Sequence, residues 1–462
     1  MPSVKAGIIP RTSAQKCLLS RPPGDLLNEP LPALPPASAC PGLLRIVAAR
    51  DGGLCRVKLP GGTLSAAGAY AIAEAARAFG DGSVYLTNRA NLQLRGVAPR
   101  HQQALIDHLL AAGLGPSSPG ADDIRNLMLS PMAGLDPLAT LDTRPLAAGL
   151  LQVLEQQPRY HALSPKFCIQ LDGGEALTVL RHPHDLWLSP LWLGGELHLG
   201  LGVASGIAQA LPVAAVPARQ GVALVLAVLD RFLALAGPQP GRMRDLLAVQ
   251  PLTALLDGLP LALHPGPLPP LPPRHVPAAL GVHPQRQAGR VAVGIAPALG
   301  RLSAEGLSAL AQMAQGCGSG LLQLTPWQGM LVPDVAQGNA PHVQAQAQAL
   351  GLLIDPHEPL AATVACTGSA GCGRGLADTK ADAYALARLL GRAVPVHLTG
   401  CARSCARASV APVTLQAVSA GHYNLFYRDP SLPGFGRLEG CNLTVQEAAV
   451  QLAACPRSLF DD

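Results

Sequence analysis

ACTGSAGCGRGLAD, residues 365–378, and TGCARSCAR, residues 399–407, are the runs on which the reading of this chain turns. Cys366 and Cys372 stand as C-x5-C, and Cys401 and Cys405 as C-x3-C, with residues 373–400 between the pairs. Four thiolates brought together hold either an iron–sulfur cluster or a zinc ion. Zinc sites favour tighter C-x2-C knuckles, so the wide first pair argues for a [4Fe–4S] cluster. Glycines 368, 371, 373 and 375 let backbone approach the sulfurs closely. The competing reading, four unligated buried cysteines, does not account for two tight pairs.

At 462 residues the chain has room for two or more domains, and 14% charged residues with 49% hydrophobic ones suits a packed core. A net charge of +5 gives no reason to expect nucleic acid. Eleven cysteines, mostly scattered singly, do not form a disulfide framework, and with the paired motif they place the protein in a reducing cytoplasm. Cys55, Cys317, Cys441 and Cys455 read as packing residues. The start has no apolar stretch of signal-peptide length. The longest apolar run, residues 222–236, is interrupted by Asp230 and Arg231, so it predicts a buried helix and no membrane span.

Composition and periodicity divide the chain. Residues 1–39 are Pro- and Ala-rich and read as a mobile leader. Residues 40–115 run strand, helix, two strand-like segments, helix, with Ser65 capping an Ala-rich helix, which is the order of a ferredoxin-like half unit. Residues 116–263 form an α/β lobe, and 264–277, HPGPLPPLPPRHVP, a Pro-rich linker. The remainder then repeats the beginning. LGRLSAEG (299–306) echoes GGTLSAAG (61–68), and LQLTPWQGMLV (322–332) echoes VYLTNRANLQL (84–94). Residues 278–345 are thus a second ferredoxin-like unit and 346–462 an iron–sulfur-binding lobe. ATVACTGSAGC occupies the place of IRNLMLSPMAG, and PVHLTGC that of SPKFCIQLDGG. Thr444 and Glu447 have the form of a capping box.

TNRANLQLRG, residues 87–96, puts Arg89, Asn91, Gln93 and Arg95 at alternate positions, which on a strand share one face. That face lines a polar cavity or is simply solvated. His182, His184 and His397 are candidates for a mononuclear metal, although such histidines more often make local polar contacts. Arg374, Arg403 and Arg407 flank the cysteines and suit carboxylates. No G-x-G-x-x-G joins a strand to a helix, so nicotinamide is not expected to bind this chain and electrons come from a separate protein.

The two cysteine runs resemble the cluster motif of the sulfite and nitrite reductase family. The resemblance covers nearly all of residues 41–455 and implies an α+β fold. It consists of two pseudo-two-fold-related halves, each with a ferredoxin-like unit and an α/β lobe. It implies that Cys366, Cys372, Cys401 and Cys405 bind [4Fe–4S], with Cys405 the thiolate that bridges to siroheme iron in that family. It also implies that Arg89, Arg125 with Asn126, and Lys166 face an anionic substrate. Arg374, Arg403 and Arg407 would hold tetrapyrrole carboxylates. Where sulfite reductases have a second lysine, this chain has Cys168, which argues against sulfite but not against nitrite.

A narrower resemblance joins residues 39–68, ACPGLLRIVAARDGGLCRVKLPGGTLSAAG, and LTNRANLQLRGV, residues 86–97, to the precorrin-3B synthases. It implies O2-dependent hydroxylation of precorrin-3A at C20 with γ-lactone formation. Lys166, Arg89 and Arg125 would be catalytic, and Asn91, Gln93, Arg95 and Asn126 would help bind substrate. It further implies a mononuclear non-haem iron whose ligands it does not place, and NAD(P)H electrons delivered through another protein. The alternatives are a siroheme-dependent nitrite or sulfite reductase and a non-catalytic tetrapyrrole carrier.

Overall fold

Ser65 and Ser303 begin the same construction twice. Each side-chain oxygen accepts from the backbone N–H three residues on, Gly68 and Gly306, and so caps a fourteen-residue helix, Ala66–Phe79 and Ala304–Cys317. Both helices bury an alanine-rich face, with Ala69, Ala73, Ala76, Ala311 and Ala314 fully inaccessible, so their backbones pack closely in one shared core. The computed structural model describes residues 40–455; the expected leader lies outside them. Contacts divide these residues into one unit over 40–361 and another over 362–455.

Within 40–361 the two ferredoxin-like halves exchange strands. The first five-stranded sheet orders Val47–Ala49, Gly52–Val57, Leu92–Val97 and Ser83–Leu86, and is completed by Arg301–Ser303 from the second half. The second orders Gly281–Pro284, Arg290–Ile295, Met330–Ala336 and Leu321–Leu324, and is completed by Thr63–Ser65 from the first. Neither half closes its sheet alone. The helix Ala340–Ala349 continues the second half past the boundary expected at 345/346.

The α/β lobe of the same unit is a sheet of Leu127–Leu129, Ile169–Leu171, His184–Leu193, Glu196–Ser205 and Ala214–Pro217, the first three parallel and the last two antiparallel. The expected apolar helix is present as Gly221–Ala236, and it buries Leu224, Val225, Val228, Leu229 and Phe232 against this sheet. Residues 242–256 form two helices, Met243–Leu247 and Leu252–Leu256, because Pro251 cannot continue the first. Residues 264–277 carry no helix or strand, as the prolines require.

The unit 362–455 repeats that sheet. Val364–Ala365, Val396–Thr399 and Val413–Ser419 run parallel, followed by antiparallel His422–Tyr427 and Arg437–Thr444. Its last helix, Val445–Ala453, starts at the expected capping box: Thr444 N donates to Glu447 Oε2 at 2.8 Å and Glu447 N to Thr444 Oγ1 at 3.3 Å. Among the described residues no helix is long and apolar enough to cross a membrane.

Candidate functional site

In the unit 362–455 the thiols leave the ends of the first two parallel strands. Cys366 follows Val364–Ala365, and Cys401 follows Val396–Thr399. The two loops interlock through backbone: Cys366 N donates to Leu398 O at 3.2 Å, and Leu376 N to Gly400 O at 3.0 Å. Gly400 N donates to Cys366 Sγ at 3.2 Å, the kind of N–H that stabilises a thiolate. No side chain fits at this crossing. A Cβ on Gly375 would lie 2.5 Å from the carbonyl carbon of Gly368, and one on Gly400 3.0 Å from Cα of Gly375.

The four thiols sense one another. Burial, then the charges of Cys401, Cys366 and Cys372, raise the affinity of Cys405 for its proton. Yet among the described residues no three His, Cys, Asp or Glu side chains are placed to hold a single metal ion. Zinc would draw its sulfurs to about 2.3 Å from one centre. Thiols from two interlocked loops, with the Gly400 N–H turned to the sulfur of Cys366, suit a cluster better than one zinc ion. The same observation leaves the mononuclear iron without a ligand set. Arg374 and Arg403 are exposed beside the thiols, and Arg407 is half-buried. His397 is buried on the adjoining strand, and burial pushes its pKa down to about 4.

In the unit 40–361 Arg89, Asn91, Arg125, Asn126, Leu127, Met128 and Cys168 line a narrow cleft. It has no room to enclose a ligand, and what its mouth offers a larger molecule is contact with edge groups. Arg89 reaches over it, with Nη1 donating to Lys166 O at 3.4 Å, and Lys166 itself is exposed. Asn126 fixes both sides. Its Nδ2 donates to Asp123 O, Pro165 O and Phe167 O at 2.9, 3.0 and 3.1 Å, tying the segment that carries Arg125 to the one that carries Lys166. Arg125 Nε lies 3.0 Å from Glu155 Oε1, so part of its charge is already answered.

Beneath the cleft burial disfavours the charged forms of one thiol and two imidazoles. Burial raises the pKa of the Cys168 thiol, while Asp185 Oδ2 accepts from its backbone N–H at 2.8 Å. His184 Nε2 sits 3.3 Å from Met128 Sδ, and its ring lies 4.7 Å from that of His182. Burial, then the charge of Arg89, pushes His182 down to about 3; burial, then His182, lowers His184 well below its ordinary value.

Two expectations need correction. Arg89 and Asn91 do not share a strand face with Gln93 and Arg95. They occupy a tight turn, with Ala90 at φ +53°, and the strand begins at Leu92. Arg95 lies away from the cleft lining and is committed to Asp51, Nε–Oδ2 2.7 Å and Nη2–Oδ1 2.9 Å, with little of it exposed. Asn91 also has a framework task, since its Oδ1 accepts from Leu59 N at 2.8 Å. Cys441 is disulfide-bonded, not a packing thiol.

The sequence reading passed over Lys58, which is almost wholly buried. It donates to Asp122 O and lies 3.5 Å from Asp123 Oδ1, which Arg45 also clamps. Burial lowers its pKa to about 8. It anchors the segment that presents Arg125, and the clue was a lysine inside the alternating run LCRVKL.

Comparison with known proteins agrees with this architecture. Residues 48–112 and 283–350 match the nitrite/sulfite reductase ferredoxin-like half domain. Residues 120–249 match the nitrite and sulphite reductase 4Fe-4S domain. That second match covers the lobe without the four cysteines. The chain is 31% identical to the ferredoxin–nitrite reductase of Synechococcus elongatus, over 78% of this chain and 75% of that protein. It is 31% identical to the chloroplastic enzyme of Zea mays, over 78% and 68%. It is 27% identical to a precorrin-3B synthase of Sinorhizobium, over 83% and 81%. The solved structure of the Mycobacterium tuberculosis NirA protein superposes with a TM-score of 0.71 at 21% identity, covering 87% of this chain and 79% of that one, and shares the fold.

Proposed function

We propose that this protein, which belongs to the nitrite and sulfite reductase family, catalyses the O2-dependent hydroxylation of precorrin-3A at C20 with closure of a γ-lactone. The observation that carries the reading is the reach of the synthase match, 83% of this chain and 81% of the relative, against 78% and 75% for the cyanobacterial nitrite reductase. The neutral thiol of Cys168 adds support. A site that protonates a small oxyanion gains from paired cations, whereas a site that grips the rim of a polycarboxylate gains from separated ones.

Arg89 and Lys166 bind acetate and propionate groups at the cleft. Lys166, exposed and unpaired among the described residues, holds a proton at Nζ for transfer to oxygen. Arg125 and Asn126 fix the floor. Cys366, Cys372, Cys401 and Cys405 hold the [4Fe–4S] cluster, which when bound supplies single electrons. One atom of O2 enters the macrocycle and the other leaves as water, with two electrons from NAD(P)H through a separate carrier.

The higher identity to nitrite reductases favours a second reading, a siroheme-dependent nitrite reductase. Anaerobic reconstitution, then addition of precorrin-3A, oxygen and an electron donor, separates them. A product heavier by one oxygen atom and bearing a lactone supports the synthase. Strong visible siroheme bands with nitrite consumption and no such product overturn it.

A further inference from the structure

The turn that carries Arg89 has a twin. In residues 87–91, Thr87 N donates to Asn91 O at 3.0 Å, Ala90 N to Thr87 O at 3.2 Å, and Asn91 N to Thr87 Oγ1 at 3.1 Å. In residues 325–329, Thr325 N donates to Gly329 O at 2.9 Å, Gln328 N to Thr325 O at 3.2 Å, and Gly329 N to Thr325 Oγ1 at 3.2 Å. The fourth residue is left-handed in both, Ala90 at φ +53° and Gln328 at φ +60°. TNRAN and TPWQG are therefore one turn built twice, and Trp327 stands where Arg89 stands.

The twins lie side by side. A Cβ on Gly62 would lie 2.8 Å from Leu324 O, at the foot of the second turn, and 3.2 Å from Ala90 Cβ in the first. A Cβ on Gly300 would lie 3.1 Å from Gln328 Cβ and 3.2 Å from Leu86 O. Each glycine loop is thus wedged between the two turns, and the strand exchange holds them there. Trp327 is 41% exposed, and among the described residues no ring or cation packs on its indole. Trp187, by contrast, is fully buried and donates from Nε1 to Ser205 Oγ at 3.0 Å.

We propose that the Thr325–Gly329 turn is a second arm of the Arg89 site, and that Trp327 stacks on the conjugated ring of a flat polycarboxylate whose acid groups Arg89 holds. The inference rests on the tetrapyrrole reading and deepens it. Duplication has put a fixed charge on one turn and a broad π-surface on its twin. Arginine grips the rim of such a ligand, and indole covers the apolar face that carboxylates leave bare.

The test uses the full, cluster-loaded chain and uroporphyrin as the flat polycarboxylate. Affinity comes from absorbance titration, and contact from hydroxyl-radical footprinting of tryptophan. Trp327→Ala weakens binding about ten-fold, while Trp327→Phe, which keeps a ring, stays within about three-fold. Trp192→Ala, at another exposed tryptophan, leaves affinity unchanged. Bound uroporphyrin protects Trp327 from oxidation and leaves Trp192 reactive. If Trp327→Ala binds like the wild type while Arg89→Ala does not, the second arm is wrong and the tetrapyrrole reading stands. If uroporphyrin does not bind at all, both fall.

Discussion

Two lobes of this molecule repeat one sheet topology and close its strand-end loops in opposite ways. In the sheet of residues 364–444 the loops after the first two parallel strands carry four thiols, with exposed Arg374 and Arg403 beside them. In the sheet of residues 127–217 the corresponding loops carry Asp136, Asp172 and Glu175, all buried. There the chain supplies its own counter-ion. Arg274, from the Pro-rich stretch, meets Asp172 with two hydrogen bonds of 2.9 and 2.7 Å, and Ser189 and Thr178 add 2.6 and 3.0 Å. The buried acids of this loop pair concentrate negative charge, which the Arg274 guanidinium offsets. One lobe answers its loop charge with guanidinium; for the other the proposed occupant is an iron–sulfur cluster.

If that comparison is right, removing one thiol has the largest effect. Cys401→Ser keeps the shape of the side chain, so the lobe stays folded by circular dichroism. Iron and labile sulfide in reconstituted protein fall to near zero. A variant that still carries a full complement of iron and sulfide removes Cys401 from the ligand set.

The arginine-filled lobe should fail differently. Arg274→Met leaves a fully buried carboxylate at Asp172 with only two hydroxyls for company. Stranding one member of a buried pair costs about 3–5 kcal/mol. The urea midpoint drops accordingly while iron content is unchanged. Arg274→Met with Asp172→Asn recovers most of the loss, because the stranded charge is gone. Equal sensitivity of both lobes to chelation would break the comparison.

The contrast also explains what the sequence could show. The two cysteine pairs were legible because each is local in the chain and thiols have few other reasons to pair. The duplication was legible because Ser65 and Ser303 cap equivalent helices within matching phrases. The carboxylate lobe was not. Asp136, Asp172 and Glu175 look like ordinary loop acids, and their partner sits about a hundred residues on, inside a stretch that reads as linker. The turn at Arg89 was misread as strand because alternation of polar residues is the same signal in both. Only the left-handed φ at Ala90 distinguishes them, and alanine does not advertise it. Strand exchange between the halves leaves no local mark at all.

Glu175 gives the smallest effect and the finest test of how charge is managed in the self-filled lobe. It is fully buried, with Oε2 accepting from Gly173 N at 2.8 Å and Oε1 without a partner. Burial, then the charge of Asp172, raises its pKa to about 8. The folded protein therefore keeps a proton that the unfolded chain releases in the ordinary carboxylate range. Stability from this group is fully present below that range and declines as pH rises toward about 8, because the folded state binds more protons throughout the window. Glu175→Gln has no proton to lose. Relative to wild type it gains stability by up to about 1.4 kcal/mol per pH unit across that window. Urea midpoints at the two ends of the window measure it. Parallel curves for the two proteins would mean that Glu175 is ionised in the fold, and that Arg274 neutralises more of the acidic loop pair than Asp172 alone.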